Sequence, residues 1–378
     1  MEVFKYKHRI AISNCFFITG FIFSSWASRI PSIKENFALN DAELANLLLL
    51  MPFTSVLGLL ISKWVVSRFN TRVPLITGFF FISLSVFSIG FSSNLHQLVV
   101  SISLFSFSLR MINICMNTQA VNLQSLYAKQ INGSFHGFWS LGGIVGLVFS
   151  SAMIFRDVPI GHHLLWVSFF TLFVATGSYF FLIKNDKPIK KHSSKRRKPD
   201  SRIVFLGLIV FFAAICEGGI YDWNALYFKE VVGVELFTLG YLSFMSCMTI
   251  SRFLSDYLIG MIGMFRMFTL SSILVVVGIG IAILFTSFWP ALLGFCIAGF
   301  GVSSIFPMVF SLSDKSENHS AGAFISILST YSIIGMFIGP PLIGYISFIF
   351  ELRYAFVVFI FCGLSFFPLS KLVSSFYK

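Results

Sequence analysis

Apolar runs of about twenty residues recur from one end of the chain to the other, each closed by a short polar or basic stretch. At about 1.5 Å of rise per residue, a helical run of this length crosses a bilayer core of roughly 30 Å. The runs are continuous and lack period-two alternation, which predicts helices and not barrel strands. Twelve cores result: 10–28, 42–61, 74–93, 98–120, 136–155, 163–183, 203–223, 237–255, 267–287, 290–311, 321–346 and 354–372. The expected fold class is an all-α polytopic membrane protein of about twelve transmembrane helices.

The pattern breaks once. Residues 184–202 are dense in Lys, Arg, Ser and Pro and have no apolar periodicity. They read as a basic cytoplasmic linker between two six-helix halves, 1–183 and 203–378, and the cluster can also touch anionic lipid heads. Composition agrees with the spans: 56% of residues are hydrophobic and 11% charged, against about 25% charged in soluble domains. A net charge of +12 would suit nucleic acid, but the distribution of the cations explains it better. Of the 27 Lys and Arg, 21 fall on one side of the twelve-span map, Arg252 among them, and five on the other. That bias places both termini on the cytoplasmic side. Met1 to Ser28 is too long in its apolar run for a cleaved signal and reads as a retained first span. The six Cys all fall within spans and imply no disulfide framework.

Only Arg110 among the cations lies deep within a span on this map, and Glu217 is the only acid deep inside one. Ionisable groups at such depth are costly and mark function by default. In the fourth span Ser103, Ser106, Arg110, Asn113 and Asn117 fall within an arc of roughly 80° at 100° per residue. A stripe carrying Arg cannot face lipid, so Arg110, Asn113 and Asn117 are candidates for solute binding. In the seventh span Glu217, Tyr221 and Asn224 share a face at i, i+4 and i+7. A buried carboxyl there can exchange a proton, the requirement of proton coupling. Counted by helical rise, Glu217 and Arg110 differ in depth by roughly 9 Å, too far for a direct salt bridge. Asp222 and Trp223 close the seventh span, and Trp26 and Arg29 close the first, positions that suit either interfacial anchoring or an outer gate of Arg29 with Asp222. Tyr331 in the eleventh span offers a further hydroxyl. Downstream, Gly335, Gly339, Pro340 and Pro341 suit close packing and a bend. His162-His163 reads as an adjacent outer-loop pair without metal-site spacing.

The halves echo each other in the cytoplasmic turns, Gly58 to Arg72 after the second span and Ser251 to Arg266 after the eighth. Two six-helix halves with matching turns resemble the major facilitator superfamily, whose turn pattern is Gly-x3-Asp-Arg-x-Gly followed by two basic residues. Here Ser67 and Asn70 stand where Asp and Gly are expected, while the second copy keeps Asp256, a candidate for gating. Other segments sharpen the likeness: Ser25 to Lys34, Met116 to Asn122, Ser134-Phe135-His136-Gly137-Phe138-Trp139 through Gly143, Glu217-Gly218-Gly219 through Tyr227, and Gly339 to Gly344. Together they look like the fucose-permease-like branch of bacterial facilitators. The resemblance implies two six-helix bundles, a central cavity, alternating access and a sugar-like solute. It also makes His136 and Trp139 candidates for a cavity or inner gate. It does not demand Arg at position 110, which marks a point of substrate difference.

No phosphate-loop motif is present, so ATP is not the expected driver. The expected protein is not an enzyme and carries no cofactor and no metal. Its partners are a small-molecule solute, protons and membrane lipids, with no nucleic acid, and it is a monomer. The function expected is secondary active transport of a small polar solute, sugar-like or sugar-derived, coupled to protons. Two alternatives stay open: a proton-driven exporter of amphipathic drugs, and a non-transporting membrane receptor of the same fold.

Overall fold

The computed structural model describes residues 2–124, 126–127, 131–184, 201–311 and 321–375. The described residues form helices joined by short turns, with no strand among them. In order these are α1 (Glu2–Ala27), α2 (Ile30–Asn36), α3 (Asp41–Arg68), α4 (Arg72–Gly90), α5 (Leu95–Gln124), α6 (Asn132–Phe155), α7 (Ile160–Tyr179) and α8 (Ser201–Glu230). They continue as α9 (Thr238–Ile262), α10 (Met264–Leu284), α11 (Phe288–Ser303), α12 (Ile305–Ser311), α13 (Ala321–Phe350), α14 (Leu352–Ala355) and α15 (Val357–Ser375). Ten of the described helices are long and apolar enough to cross a membrane. Outward faces stay apolar: Phe173 and Trp289 expose 80% and 74% of their surface, which suits lipid as the neighbour.

The chain forms two compact units. Unit 1 comprises Met1–Ala38 and Leu47–Lys191, and unit 2 comprises Leu39–Asn46 and His192–Lys378. Most of the expected linker, 185–200, lies outside the described residues. The first turns of α3 belong to unit 2 by their contacts. Ser347 donates to Asp41 there, and Tyr345 donates to Asn46. The same end of α3 is closed by a capping box. Asn40 N–H donates to Glu43 Oε2 and Glu43 N–H to Asn40 Oδ1, each at 2.9 Å, which satisfies two donors that a helix start leaves open.

Packing inside the units repeats with a period of six spans. α1 packs on α6 as α8 packs on α13; α4 packs on α5 as α10 packs on α11; α4 packs on α7 as α10 packs on α15. Glycine makes the tightest of these seams possible. A Cβ on Gly20 would stand 2.0 Å from the Trp139 carbonyl oxygen, and one on Gly142 1.9 Å from that of Phe17. Backbone therefore meets backbone along α1 and α6, the small-residue packing expected where lipid supplies no hydrophobic drive. Gly335 and Gly339 do the same for α13 against α8, with Phe211 and Ile215 carbonyls 2.3 and 2.7 Å from the added Cβ.

One boundary differs from the sequence reading in a way that matters. The eighth span was expected to end at residue 255 before a basic turn. Instead α9 runs to Ile262, and Gly263 alone joins it to α10, with φ +83°. Glycine adopts that left-handed value without the steric cost borne by other residues. Arg252 and Asp256 are thereby placed within a helix, not in a cytoplasmic loop.

Candidate functional site

In unit 2 an ion pair joins α8 to α9. Glu217 is 5% exposed. Its Oε1 accepts from Tyr221 Oη at 2.6 Å and from Arg252 Nη2 at 2.9 Å. Tyr221 stands one turn along the same face, its hydroxyl 3.5 Å from Met248 Sδ and its ring 5.6 Å from that of Tyr241. The pair is asymmetric: the Arg252 side chain is 29% exposed and that of Glu217 only 7%. The carboxylate is held inside while the guanidinium reaches to a more open edge.

The residues after Glu217 explain how one helix serves three neighbours. A Cβ on Gly218 would lie 2.8 Å from the Met336 carbonyl of α13, and one on Gly219 2.7 Å from the Phe359 ring of α15. The glycines let α13 and α15 close on the far sides of α8, so that the carboxylate is directed at α9. Asn224 lies on the expected face and is fully buried, with neither side-chain atom hydrogen-bonded among the described residues. Asp222 is 8% exposed and its Oδ1 has no partner among them. Trp223 is buried and donates to the Pro340 carbonyl at 2.9 Å. Asp222 and Trp223 are thus interior residues of unit 2, not interfacial anchors. Tyr331 packs its ring on Gly207, roughly 15 Å along α8 from Glu217. The side chain of Asp256 lies outside the described residues.

In unit 1 the stripe on α5 is divided by its partners. Ser106 donates to the Met51 carbonyl and Arg110 Nε to Ser55 Oγ at 2.8 Å, both on α3. Gly58 lets α3 come close, since its Cβ would be 3.1 Å from that of Arg110. Further along, Asn113 Nδ2 donates to the Leu109 carbonyl at 3.0 Å and Asn117 Nδ2 to that of Asn113 at 2.7 Å. His136 and Trp139 lie on the α1–α6 seam, where their rings meet Phe16 at 5.3 Å and Phe23 at 6.2 Å.

Arg29 is 5% exposed and bonded inside its own unit. Its Nε donates to His163 Nδ1 at 3.0 Å and its Nη2 to the Val158 carbonyl at 2.8 Å. His163 Nε2 faces Ser150 Oγ at 3.3 Å, and Ser150 donates to the Gly146 carbonyl at 2.7 Å. The direction of each bond follows: a ring nitrogen that accepts from Arg29 has its proton on Nε2 and donates to Ser150. Instead of belonging to an outer loop, His163 is a fully buried residue of α7. Trp26, 1% exposed, is likewise no interfacial anchor.

Glu217 and Tyr221, expected on one face, meet in the structure, while sequence reasoning did not pair Glu217 with Arg252, Arg110 with Ser55 or Arg29 with His163. A signal for Arg252 was available. The apolar pattern runs on through Tyr257-Leu258-Ile259, and the first residue that demands a break is Gly263.

Relatives agree with this architecture. Over 354 residues the chain is 26% identical to an uncharacterised MFS-type transporter of Yersinia pestis, covering 93% of this chain and 91% of that one. It is 27% identical over 342 residues to the membrane protein MosC of Rhizobium meliloti, covering 89% and 83%. Among solved structures it superposes on a bacterial homologue of the human lysosomal transporter Spinster, inward-facing and unoccupied, with a TM-score of 0.78 at 13% identity over 99% and 98% of the two chains. The nucleoside transporter NupG, as its D323A mutant, gives 0.75 at 10% identity over 98% and 99%. Residues 10–332 match the Major Facilitator Superfamily model, and the chain belongs to that family of multi-pass membrane transporters.

Proposed function

We propose that the chain is a proton-coupled secondary transporter that imports a small polar solute, sugar-like or sugar-derived, by alternating access. It acts in the bacterial inner membrane with both termini in the cytoplasm. The observation that carries the coupling is the Glu217–Arg252 pair at 2.9 Å, with Tyr221 on the same carboxylate oxygen. Paired, the two charges cancel. A proton on Glu217 removes the negative charge and leaves Arg252 a cation in a mostly apolar surrounding, a state that costs several kcal/mol. Proton binding and loss can therefore drive two arrangements of α8 and α9, which is what coupling requires. Its position within unit 2 keeps this switch on a single bundle.

The test is transport by purified protein in proteoliposomes. Glu217→Gln keeps the shape and an acceptor for Tyr221 but cannot titrate. It is expected to abolish accumulation driven by a proton gradient while leaving solute exchange between preloaded vesicles intact. Accumulation at the native level by the Gln variant would refute the assignment of coupling to this residue.

A further inference from the structure

Arg29 is a buried cation whose charge is not answered among the described residues. It is 5% exposed. Its hydrogen bonds run to the neutral ring of His163 and to the Val158 carbonyl, and it makes no ion pair there. Arg252, by contrast, has Glu217. The packed helices α6 and α7 contain no Asp or Glu. The turn into α7 carries Arg156 and Asp157, both exposed, and Asp157 makes no ion pair with Arg29. A guanidinium has five N–H groups. Two are used, so three remain: both on Nη1 and one on Nη2. Nη1 is not among the buried polar atoms that lack a partner, so that end of the fork keeps an opening. A buried cation without a counter-charge is one of the costliest arrangements a protein can keep.

The place where the cation sits sharpens the point. Val158 lies just before the N-cap of α7, Pro159, and His163 lies in the first turn. Bonded to both, the guanidinium rests against the N-terminus of a 20-residue helix. That end carries the positive pole of the helix dipole, where an anion is favoured and a cation is not. The first helical bond runs from the His163 N–H to the Pro159 carbonyl. The N–H groups of Ile160, Gly161 and His162 accordingly have no acceptor among the described residues, as the first turn of a helix leaves them. Two positive fields thus meet with six unfilled donors between them. Phosphate brings more acceptor oxygens to such a set than the two of a carboxylate, and both the fork and a helix N-terminus suit it.

We infer that Arg29 and the first turn of α7 hold a phosphate-class oxyanion, which supplies the negative charge that Arg29 lacks. Two sources share this chemistry. From Lys5 to Arg29 the helical rise is about 36 Å, past the roughly 30 Å of a hydrocarbon core, so a phospholipid headgroup is one. Phosphate free in solution is the other. The site goes beyond the transport reading and does not depend on it, since Arg29 takes no part in the Glu217–Arg252 pair.

Thermal unfolding of the purified, delipidated full-length protein tests it at constant ionic strength, with chloride as the reference. Inorganic phosphate and dihexanoyl phosphatidylglycerol are titrated separately. The expected result is a saturable rise in Tm of at least about 2 °C above chloride with one or both. A rise with both ligands points to a site for the free oxyanion, and a rise with the lipid alone points to the headgroup. Arg29→Gln is expected to lose the rise. Pro159→Asp is expected to lose it too, because it places a carboxylate at the N-cap beside Arg29, where Asp is a favoured residue. This second variant carries the comparison if Arg29→Gln fails to fold. Phosphate also stabilises proteins generally by exclusion from their surface. An equal rise in wild type and Arg29→Gln is that general effect and overturns the inference. So does an undiminished rise in Pro159→Asp, or the absence of any rise in wild type with either ligand.

Discussion

The Glu217–Arg252 pair makes a prediction whose size follows from its burial. Glu217→Gln removes only the charge and keeps an acceptor for the Tyr221 hydroxyl at 2.6 Å. Arg252 then loses its counter-charge. Breaking a fully buried pair costs about 3–5 kcal/mol. Because the Arg252 side chain is 29% exposed, it recovers part of its hydration, and the expected loss is about 2–3 kcal/mol. Arg252→Met leaves the more buried carboxylate unpaired and falls in the upper part of the range, about 3–5 kcal/mol. Removing both charges together, in Glu217→Gln with Arg252→Met, leaves no unpaired ion and costs about 1 kcal/mol, because neutral replacement of an ion pair is nearly neutral for stability. The assay is thermal unfolding of the four proteins in one detergent. At about 2–4 °C per kcal/mol, Glu217→Gln is expected to lower Tm by roughly 4–12 °C and the double variant to recover most of that loss. A double variant that loses the sum of the two single losses would show no coupling and refute the argument from charge compensation.

Three further predictions use unit 1. Gly142→Ala drives a methyl into the Phe17 carbonyl, 1.9 Å from the ideal Cβ, and is expected to cost more than about 3 kcal/mol or block folding, as read by the yield of monodisperse protein. Gly177→Ala has nothing within 4 Å of its Cβ and lies inside α7, so it should raise stability by up to about 1 kcal/mol. His163→Leu takes the acceptor from a buried Arg29 and should destabilise by about 2 kcal/mol. Adding Arg29→Met should return most of that loss, because no donor is then stranded; a double variant worse than the single one would show that Arg29 is held by other means.

What could be read from the sequence and what could not divide along a physical line. The spans were legible because the bilayer is the harshest of solvents: each segment had to be helical, apolar and about twenty residues long. Glu217 and Arg110 were legible for the same reason, since each stands out against an apolar background. The small residues of α13 announced close packing, and Gly335 and Gly339 meet the α8 backbone as expected. The turn at Gly263 was misplaced because a basic residue late in a span reads the same whether it ends the helix or pairs across it.

The chain alone thus predicted a series of apolar helices on either side of one basic break, and it showed which rare polar groups were retained among them. Only the tertiary structure decided which neighbour each helix turns its faces to. In a soluble helix the polar side points to water and orients the rest. Here lipid and core are both apolar, so hydropathy gives no rotation. Trp223 could equally have anchored at a membrane surface, yet it is buried against Pro340. His163 could have lain in a loop, yet it accepts from Arg29 across the bundle. Arg252 could have faced the cytoplasm, yet it closes on Glu217. Each of these pairs joins residues of different elements, dozens of positions or more apart in the chain, and no local pattern records which partner a polar group will meet.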